Sequence, residues 1–321
     1  MIATSQNYHG IDRRSFLLLG AALPGFAAAR KPLSGIFPIA QTPFTEAGKL
    51  DLEVLAAEVR FLDKCGVHGI VWPQLASEWD TLTESERHAG AEVLASQGKQ
   101  LRPAIVIGVQ ATDAKTAAGY AQHAHEIGAD AIIALPPPGK VEHKALLAYY
   151  KEIGASTALP LFAQAVGNLT VDQVVEFHRE VPTLKYVKDE AGEPLARIGP
   201  LREKSNGGLN VFTGAHGRTL LDEMSRGSSG SMPAASFADL YAVVWDLWRA
   251  GKRKEAMDVF GKTSLLINEV QAYGIESLKY ILYLRGVFKT WRVRKGGARL
   301  DAAGQKMLSE MLEFARPRLK V

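Results

Sequence analysis

Eight short apolar runs punctuate the chain after Arg30: Ile36–Ala40, Gly69–Trp72, Ala104–Ile107, Ala131–Leu135, Pro160–Ala163, Leu184–Val187, Leu209–Phe212 and Gly230–Met232, recurring every ~20 to 35 residues. The stretches between them have a different period. Leu52, Leu55, Val59 and Leu62 fall on one helical face in the first, and Phe237, Leu240, Tyr241, Val244 and Leu247 form the apolar stripe of the eighth. That spacing follows the helical repeat of about 3.6 residues rather than the two-residue alternation of a half-buried strand. An apolar run followed by an amphipathic helix, repeated along the chain, predicts successive strand–helix units around a parallel sheet.

Two junctions resemble each other: Lys64-Cys65-Gly66-Val67-His68-Gly69-Ile70-Val71 and Glu126-Ile127-Gly128-Ala129-Asp130-Ala131-Ile132-Ile133. Each places Gly where a helix end needs a left-handed residue, then enters a strand. Arg226-Gly227-Ser228-Ser229-Gly230 reads as a third copy, so one structural unit is reused. The runs are apolar throughout and none reads as an amphipathic edge, which favours an α/β protein built as a closed (β/α)8 TIM barrel over an open doubly wound sheet. The barrel is expected over residues 30–250. Lys254–Tyr273, Ile275–Leu284 and Ala302–Ala315 then read as helices, a C-terminal extension over 251–321 packed on the barrel.

With 321 residues, 47% of them apolar, the chain buries an ordinary core, and intrinsic disorder is excluded. A net charge of +4 without a Lys/Arg block or interleaved aromatics argues against a nucleic-acid partner. Cys65 is the single cysteine, so internal disulfides and Cys-rich zinc sites are excluded. His123 and His125, two apart on a helix, point to different sides, and no metal site is expected. Residues 1–29 read as an address. Asp12-Arg13-Arg14-Ser15 leads into an apolar run ending at Ala27-Ala28-Ala29, which resembles a twin-arginine export signal with a small-residue cleavage site. Ser15 to Ala29, interrupted by Pro24, falls short of the roughly 20 apolar residues a membrane span needs. A periplasmic or exported protein with no stable membrane insertion after processing is expected.

Barrel active sites lie at the C-terminal ends of the strands. Lys188 ends the sixth run, Thr183-Leu184-Lys185-Tyr186-Val187-Lys188-Asp189-Glu190, and points to the mouth if Leu184 and Tyr186 share its face. A desolvated lysine attacks a ketone to form an imine once neutral, which means lowering its pKa from about 10.4 towards 7 or 8, a cost of about 3 to 4 kcal/mol that burial imposes. On spacing alone, a strand-end lysine paired with Asp189 or Glu190 is the plainer reading.

Other pieces converge on the same strand ends. Gly35-Ile36-Phe37-Pro38-Ile39-Ala40-Gln41-Thr42-Pro43-Phe44 at strand one, Ser77-Glu78-Trp79-Asp80-Thr81-Leu82-Thr83 after strand two, Tyr186-Val187-Lys188-Asp189 at strand six and Gly227-Ser228-Ser229-Gly230-Ser231-Met232-Pro233-Ala234 at strand eight stand in order. In these pieces Leu33 to about Arg316 resembles the dihydrodipicolinate synthase and N-acetylneuraminate lyase family, barrels in which a strand-six lysine forms a Schiff base with pyruvate or another 2-keto acid. The resemblance implies that Lys188 forms an imine in a lyase, an aldolase or a dehydratase, acting on a 2-keto acid or sugar acid. It also implies no metal or organic cofactor, and a homo-oligomer, dimer or tetramer. Gln74, Leu75, Ala76 and Ser77 would surround the substrate carboxylate, with Ser231 also at the substrate and Gln164 positioning it.

The departures bear on mechanism. Typical members carry Gly-Thr-Thr-Gly-Glu after strand two, where this chain has Gln74-Leu75-Ala76-Ser77-Glu78; strand five ends in Gln164 where the family has a proton-shuttling tyrosine; and Pro137-Pro138-Gly139 replaces the strand-four aromatic pair. An amide hydrogen-bonds but does not titrate near neutrality. Glu78, His216, Asp189 or a carboxylate of the substrate are then the alternative proton shuttles. His216 lies in Thr213-Gly214-Ala215-His216-Gly217-Arg218 after strand seven. Glu78 could equally be structural, bonded to loop backbone. The missing threonines and tyrosine also motivate a second reading, a barrel that binds a keto or sugar acid without turning it over.

Overall fold

The eight apolar runs become the strands of a barrel in the computed structural model, which describes residues 31–296 and 299–321. The expected export signal over 1–29 lies outside the described residues. The strands are β1 (Gly35–Ile36), β2 (Gly69–Trp72), β3 (Ala104–Gly108), β4 (Ala131–Ala134), β5 (Leu161–Ala165), β6 (Leu184–Asp189), β7 (Asn210–Thr213) and β8 (Gly230–Ser231). All ladders are parallel, in the order β1-β8-β7-β6-β5-β4-β3-β2. An Ile39–Val71 bridge closes the remaining seam, with the N–H of Ala40 donating to the Val71 carbonyl at 2.9 Å and that of Val71 to Pro38 at 3.0 Å. The first run, Ile36–Ala40, is therefore shorter as a regular strand than expected. Its proline has no N–H to donate, and its later residues divide their bonds: Phe37 and Ile39 donate to Ser231 and Pro233 on the β8 side, Ala40 to the β2 side.

Helices follow the strands in turn: α1 (Leu52–Cys65), α2 (Glu84–Gly98), α3 (Ala114–Glu126), α4 (His143–Ser156), α5 (Val171–Glu180), α6 (Pro194–Lys204), α7 (Leu220–Ser225) and α8 (Ala238–Arg249). Gly66, Gly128 and Gly227, the three recurring junction glycines, adopt φ of 80°, 84° and 83°, a conformation that costs a residue with a Cβ about 1–2 kcal/mol. Asp51 caps α1 by accepting the N–H of Val54 at 3.1 Å. In α1, Leu55, Val59 and Leu62 are buried as the periodicity predicts, but Leu52 is exposed and Val54 and Cys65 complete the buried face.

Because side chains alternate across a strand, the apolar runs feed two cores. Phe37, Val71, Val106, Ile133, Phe162, Phe212 and Met232 fill the barrel interior, while Trp72, Ile105, Ile132, Leu161, Val187 and Val211 pack outward against the helices. Three further helices, α9 (Arg253–Tyr273), α10 (Ile275–Leu284) and α11 (Ala302–Ala315), share an apolar cluster with α8 through Val259, Leu266, Ile281 and Leu308. Among the described residues no helix is long and apolar enough to cross a membrane.

Candidate active site

A register irregularity decides which way Lys188 faces. Leu161 pairs with Leu184, but the next residue of β5, Phe162, pairs with Tyr186, so Lys185 is an extra residue in β6. A bulge of this kind shifts the pleat by one. Leu184 consequently packs outward while Tyr186 lies against the interior cluster, so the two do not share a face as the sequence suggested. Tyr186 and Lys188 do. Beyond the bulge Lys188 stands level with Gln164 of β5 and Phe212 of β7, above an aromatic floor in which Phe162 stacks on Tyr186 at 4.3 Å and meets Phe212 edge-on at 5.3 Å. Lys188 is 5% exposed, at the mouth end of the strand.

Glu190 follows two residues later, as the chain leaves β6. Its Oε2 lies 3.0 Å from Lys188 Nζ and also accepts a hydrogen bond from Gln164 Nε2. Its Oε1 accepts the Ala215 N–H at 2.8 Å. The carboxylate sits so close to the strand-seven loop that a Cβ on Gly214 would come within 1.9 Å of Oε1. Burial pushes its pKa up, yet the Lys188 ammonium, the Ala215 amide and the Gln164 amide together hold it below the usual carboxylate range. Of the two partners the sequence offered, Lys188 therefore pairs with Glu190. Asp189 points the other way, its Oδ2 accepting from Arg197 Nε at 2.8 Å, and burial raises its pKa against that arginine's pull.

The strand-seven loop contributes His216. Ala215, His216 and Gly217 have φ of 48°, 58° and 64°, a left-handed turn in which the two non-glycine residues store strain of about 1–2 kcal/mol each. The Tyr241 hydroxyl donates to the His216 carbonyl at 2.5 Å and secures the turn. Burial lowers the pKa of the imidazole, Glu190 opposes, and Lys188 and Arg218 reinforce the lowering. His216 thus feels both charges of the Lys188–Glu190 pair.

The loop after β2 is arranged differently from what the resemblance implied. The Ser77 hydroxyl donates to the Ala40 carbonyl at 2.6 Å and accepts the Gln74 N–H at 3.1 Å, so it is committed to the loop. Gln74 Nε2 donates to Gln110 Oε1 at 2.8 Å. Leu75 is exposed, and Ala76 lies against the barrel's interior cluster. Glu78, in a left-handed conformation with φ 56°, is fully buried and engaged elsewhere: Oε1 accepts from Lys279 Nζ at 2.5 Å, and Oε2 from the N–H groups of Arg294 and Lys295 at 2.7 and 2.6 Å. Its acceptors hold α10 and the segment after it to the barrel, which is the structural role weighed against proton transfer. Ser231 also leaves the site. Gly230 and Met232 face inward, so the pleat turns Ser231 outward, where its Oγ accepts from Thr213 beside Glu223.

The structure therefore gathers Lys188, Gln164 and His216 from the residues singled out by sequence, together with Glu190, which the sequence offered as a partner for the lysine rather than as a site residue. Its signal was available, an acidic residue two positions beyond the lysine and on the same side of the pleat. The Oε1 of buried Gln164 has no hydrogen-bond partner among the described residues and is an acceptor available to a ligand. The arrangement supplies a nearly buried amine, a carboxylate against it, and a polar amide over an aromatic floor.

Comparison with known proteins places this geometry in context. Residues 32–315 match the model of the dihydrodipicolinate synthetase family. An L-2-keto-3-deoxyarabonate dehydratase from Azospirillum brasilense is 25% identical over 270 residues, covering 81% of this chain and 87% of that protein. An uncharacterized DapA-like lyase from Pyrococcus abyssi is 25% identical over 267 residues, 79% of this chain and 88% of that one. The crystal structure of dihydrodipicolinate synthase from Rhodopseudomonas palustris superposes with a TM-score of 0.80 at 25% identity, covering 87% of this chain and 97% of that one. With the family model running over nearly all of the barrel and its helical extension, and the amine standing on strand six, the chain belongs to the dihydrodipicolinate synthetase family.

Proposed function

We propose that this protein is a Schiff-base-forming lyase, an aldolase or dehydratase, in which Lys188 Nζ condenses with the carbonyl of pyruvate or another 2-keto acid or sugar acid. The observation that carries this reading is a lysine 5% exposed at the mouth end of β6, facing the barrel axis above an aromatic floor. A protonated imine is an electron sink that stabilises the carbanion left by carbon–carbon cleavage or precedes loss of a hydroxyl. The unpartnered Oε1 of Gln164 suits a hydroxyl on the substrate, since a buried acceptor left empty costs about 1–3 kcal/mol. This chemistry calls on no metal or organic cofactor. The activities named for the relatives are lyase activities, so binding without turnover has no support among them.

The test is to add borohydride with pyruvate, other 2-keto acids or 2-keto-3-deoxy sugar acids and to locate the reduced adduct by mass spectrometry. A mass gain on Lys188 that Lys188→Met abolishes supports the proposal, and no gain at Lys188 across the panel overturns it. A homo-oligomer, dimer or tetramer, is part of the same proposal and is read by light scattering. Export directed by residues 1–29 is read by whether Arg13→Lys with Arg14→Lys abolishes periplasmic accumulation.

A further inference from the structure

We infer that Glu190 is the proton-transfer group of this active site, taking over from the tyrosine that Gln164 replaces: it takes a proton from Lys188 and returns it to the departing water during imine formation. The inference rests on the Schiff-base reading of Lys188. Its warrant is geometric. Among the described residues Glu190 is the carboxylate in ion-pair contact with Lys188 Nζ, at 3.0 Å, the distance over which a proton passes between heavy atoms. The other acidic candidates are spent, Glu78 on Lys279 and two backbone N–H groups and Asp189 on Arg197.

The surroundings hold this carboxylate in place. Gln164, which cannot titrate, donates to the same oxygen that faces the lysine. The Ala215 N–H holds the other oxygen, and the absence of a side chain at Gly214 makes room for it. The strained left-handed turn over Ala215–Gly217 aims that N–H. Gln164 thus acts on the reaction through Glu190, as a positioning residue.

The step balances without any further reagent. The Lys188 ammonium gives one proton to the Glu190 carboxylate, leaving a neutral amine and a carboxylic acid. The amine lone pair forms the Nζ–C2 bond as the carbonyl π pair moves to oxygen; nitrogen loses a proton and oxygen gains one, giving a carbinolamine. Glu190 then protonates the carbinolamine hydroxyl, the C–O bond breaks, water leaves, and the nitrogen lone pair forms the C=N bond. The three protons of the ammonium end as one on the iminium and two on water, and Glu190 returns to the carboxylate.

The experiment measures the rate of imine formation by rapid quench with borohydride, using pyruvate, 2-oxobutyrate and 2-oxoglutarate as probes, on the full chain and on Glu190→Gln and Glu190→Ala. General acid–base groups contribute about 100- to 10,000-fold, so Glu190→Gln should slow adduct formation by about 100-fold or more. In Glu190→Ala, added formate should restore the rate in proportion to its concentration, which no purely structural role would produce. Adduct on the wild-type chain at a rate that Glu190→Gln leaves within about threefold overturns this inference and leaves the Schiff-base reading standing. A slowed Glu190→Ala that formate does not rescue, with its melting temperature unchanged, also overturns it. No adduct on the wild-type chain overturns both.

Discussion

Replacing Glu78 by glutamine removes one charge from a site with no access to water. Glu78 and Lys279 both have fully buried side chains, and the ammonium's other hydrogen-bond partner is the Arg292 carbonyl at 2.9 Å. Glu78→Gln keeps the shape and one acceptor for the Arg294 and Lys295 N–H groups but takes away the carboxylate in contact with the ammonium, leaving the more distant Glu58 to oppose its charge, and breaking a buried pair in this way costs about 3–5 kcal/mol. At about 2–4 °C per kcal/mol for a domain of this size, the melting temperature should fall by about 6–20 °C. The loss should depend on pH in a fixed direction. Burial lowers the Lys279 pKa from 10.5 to about 8 against the pull of Glu78. A depressed lysine destabilises the fold below its folded pKa, and that penalty is relieved as pH rises from about 8 towards 10.5. Without Glu78 the lysine sheds its proton more readily, so the deficit of the variant should be smaller at pH 9.5 than at pH 7. Calorimetry at both values checks this, and adding Lys279→Met should recover most of the loss. A fall under about 3 °C, a deficit equal at the two pH values, or no recovery in the double variant would refute the reasoning.

Other expectations follow from neighbouring contacts. Burial raises the Glu58 pKa from 4.5 to about 8, so its ionisation withdraws stability as pH rises through that window; Glu58→Gln, which keeps an acceptor for the Gln41 N–H, should gain on the wild type from pH 5 to 8.5 in urea titrations, and parallel curves would contradict this. Gly214→Ala places a Cβ 1.9 Å from Glu190 Oε1 and should displace the carboxylate from Lys188, slowing adduct formation by about 100-fold or more; an unchanged trapping rate argues against that packing. Asp51→Ala removes the cap of α1 and should cost about 1 kcal/mol, read as a drop of about 2–4 °C in melting temperature.

The barrel was legible because each unit carries its own local evidence. α10 and α11 end where the apolar period ends, β2 sits where its flanking glycine places it, and the junction glycines take the left-handed form the repeats predicted. Lys188 was legible as a strand-end lysine, and the pairing with Glu190 rather than Asp189 follows from the pleat once the strand is in register. What could not be read depends on neighbours distant in sequence. Glu78 meets Lys279 across a separation of 201 residues, and no local pattern marks either as a partner. Ser231 was expected at the substrate from the family resemblance of the strand-eight piece, but in so short a strand one residue decides which layer a hydroxyl enters. The phase of β6 was misjudged for the same reason, since Lys185 carries no mark of being left out of the ladder.

That single supernumerary residue has an implication for anyone rebuilding the protein. Deleting Lys185 would make the ladder regular and leave Tyr186 and Lys188 facing inward, because Leu184 and Tyr186 already stand opposite consecutive residues of β5. If Lys185 were instead drawn into the ladder opposite Phe162, every residue above it would turn over, carrying the nucleophile into the oily layer beneath the helices and Val187 into the reaction chamber. A graft of this strand onto another cylinder must either keep Lys185 out of the ladder or omit it, because the direction of attack is encoded there rather than in the lysine itself.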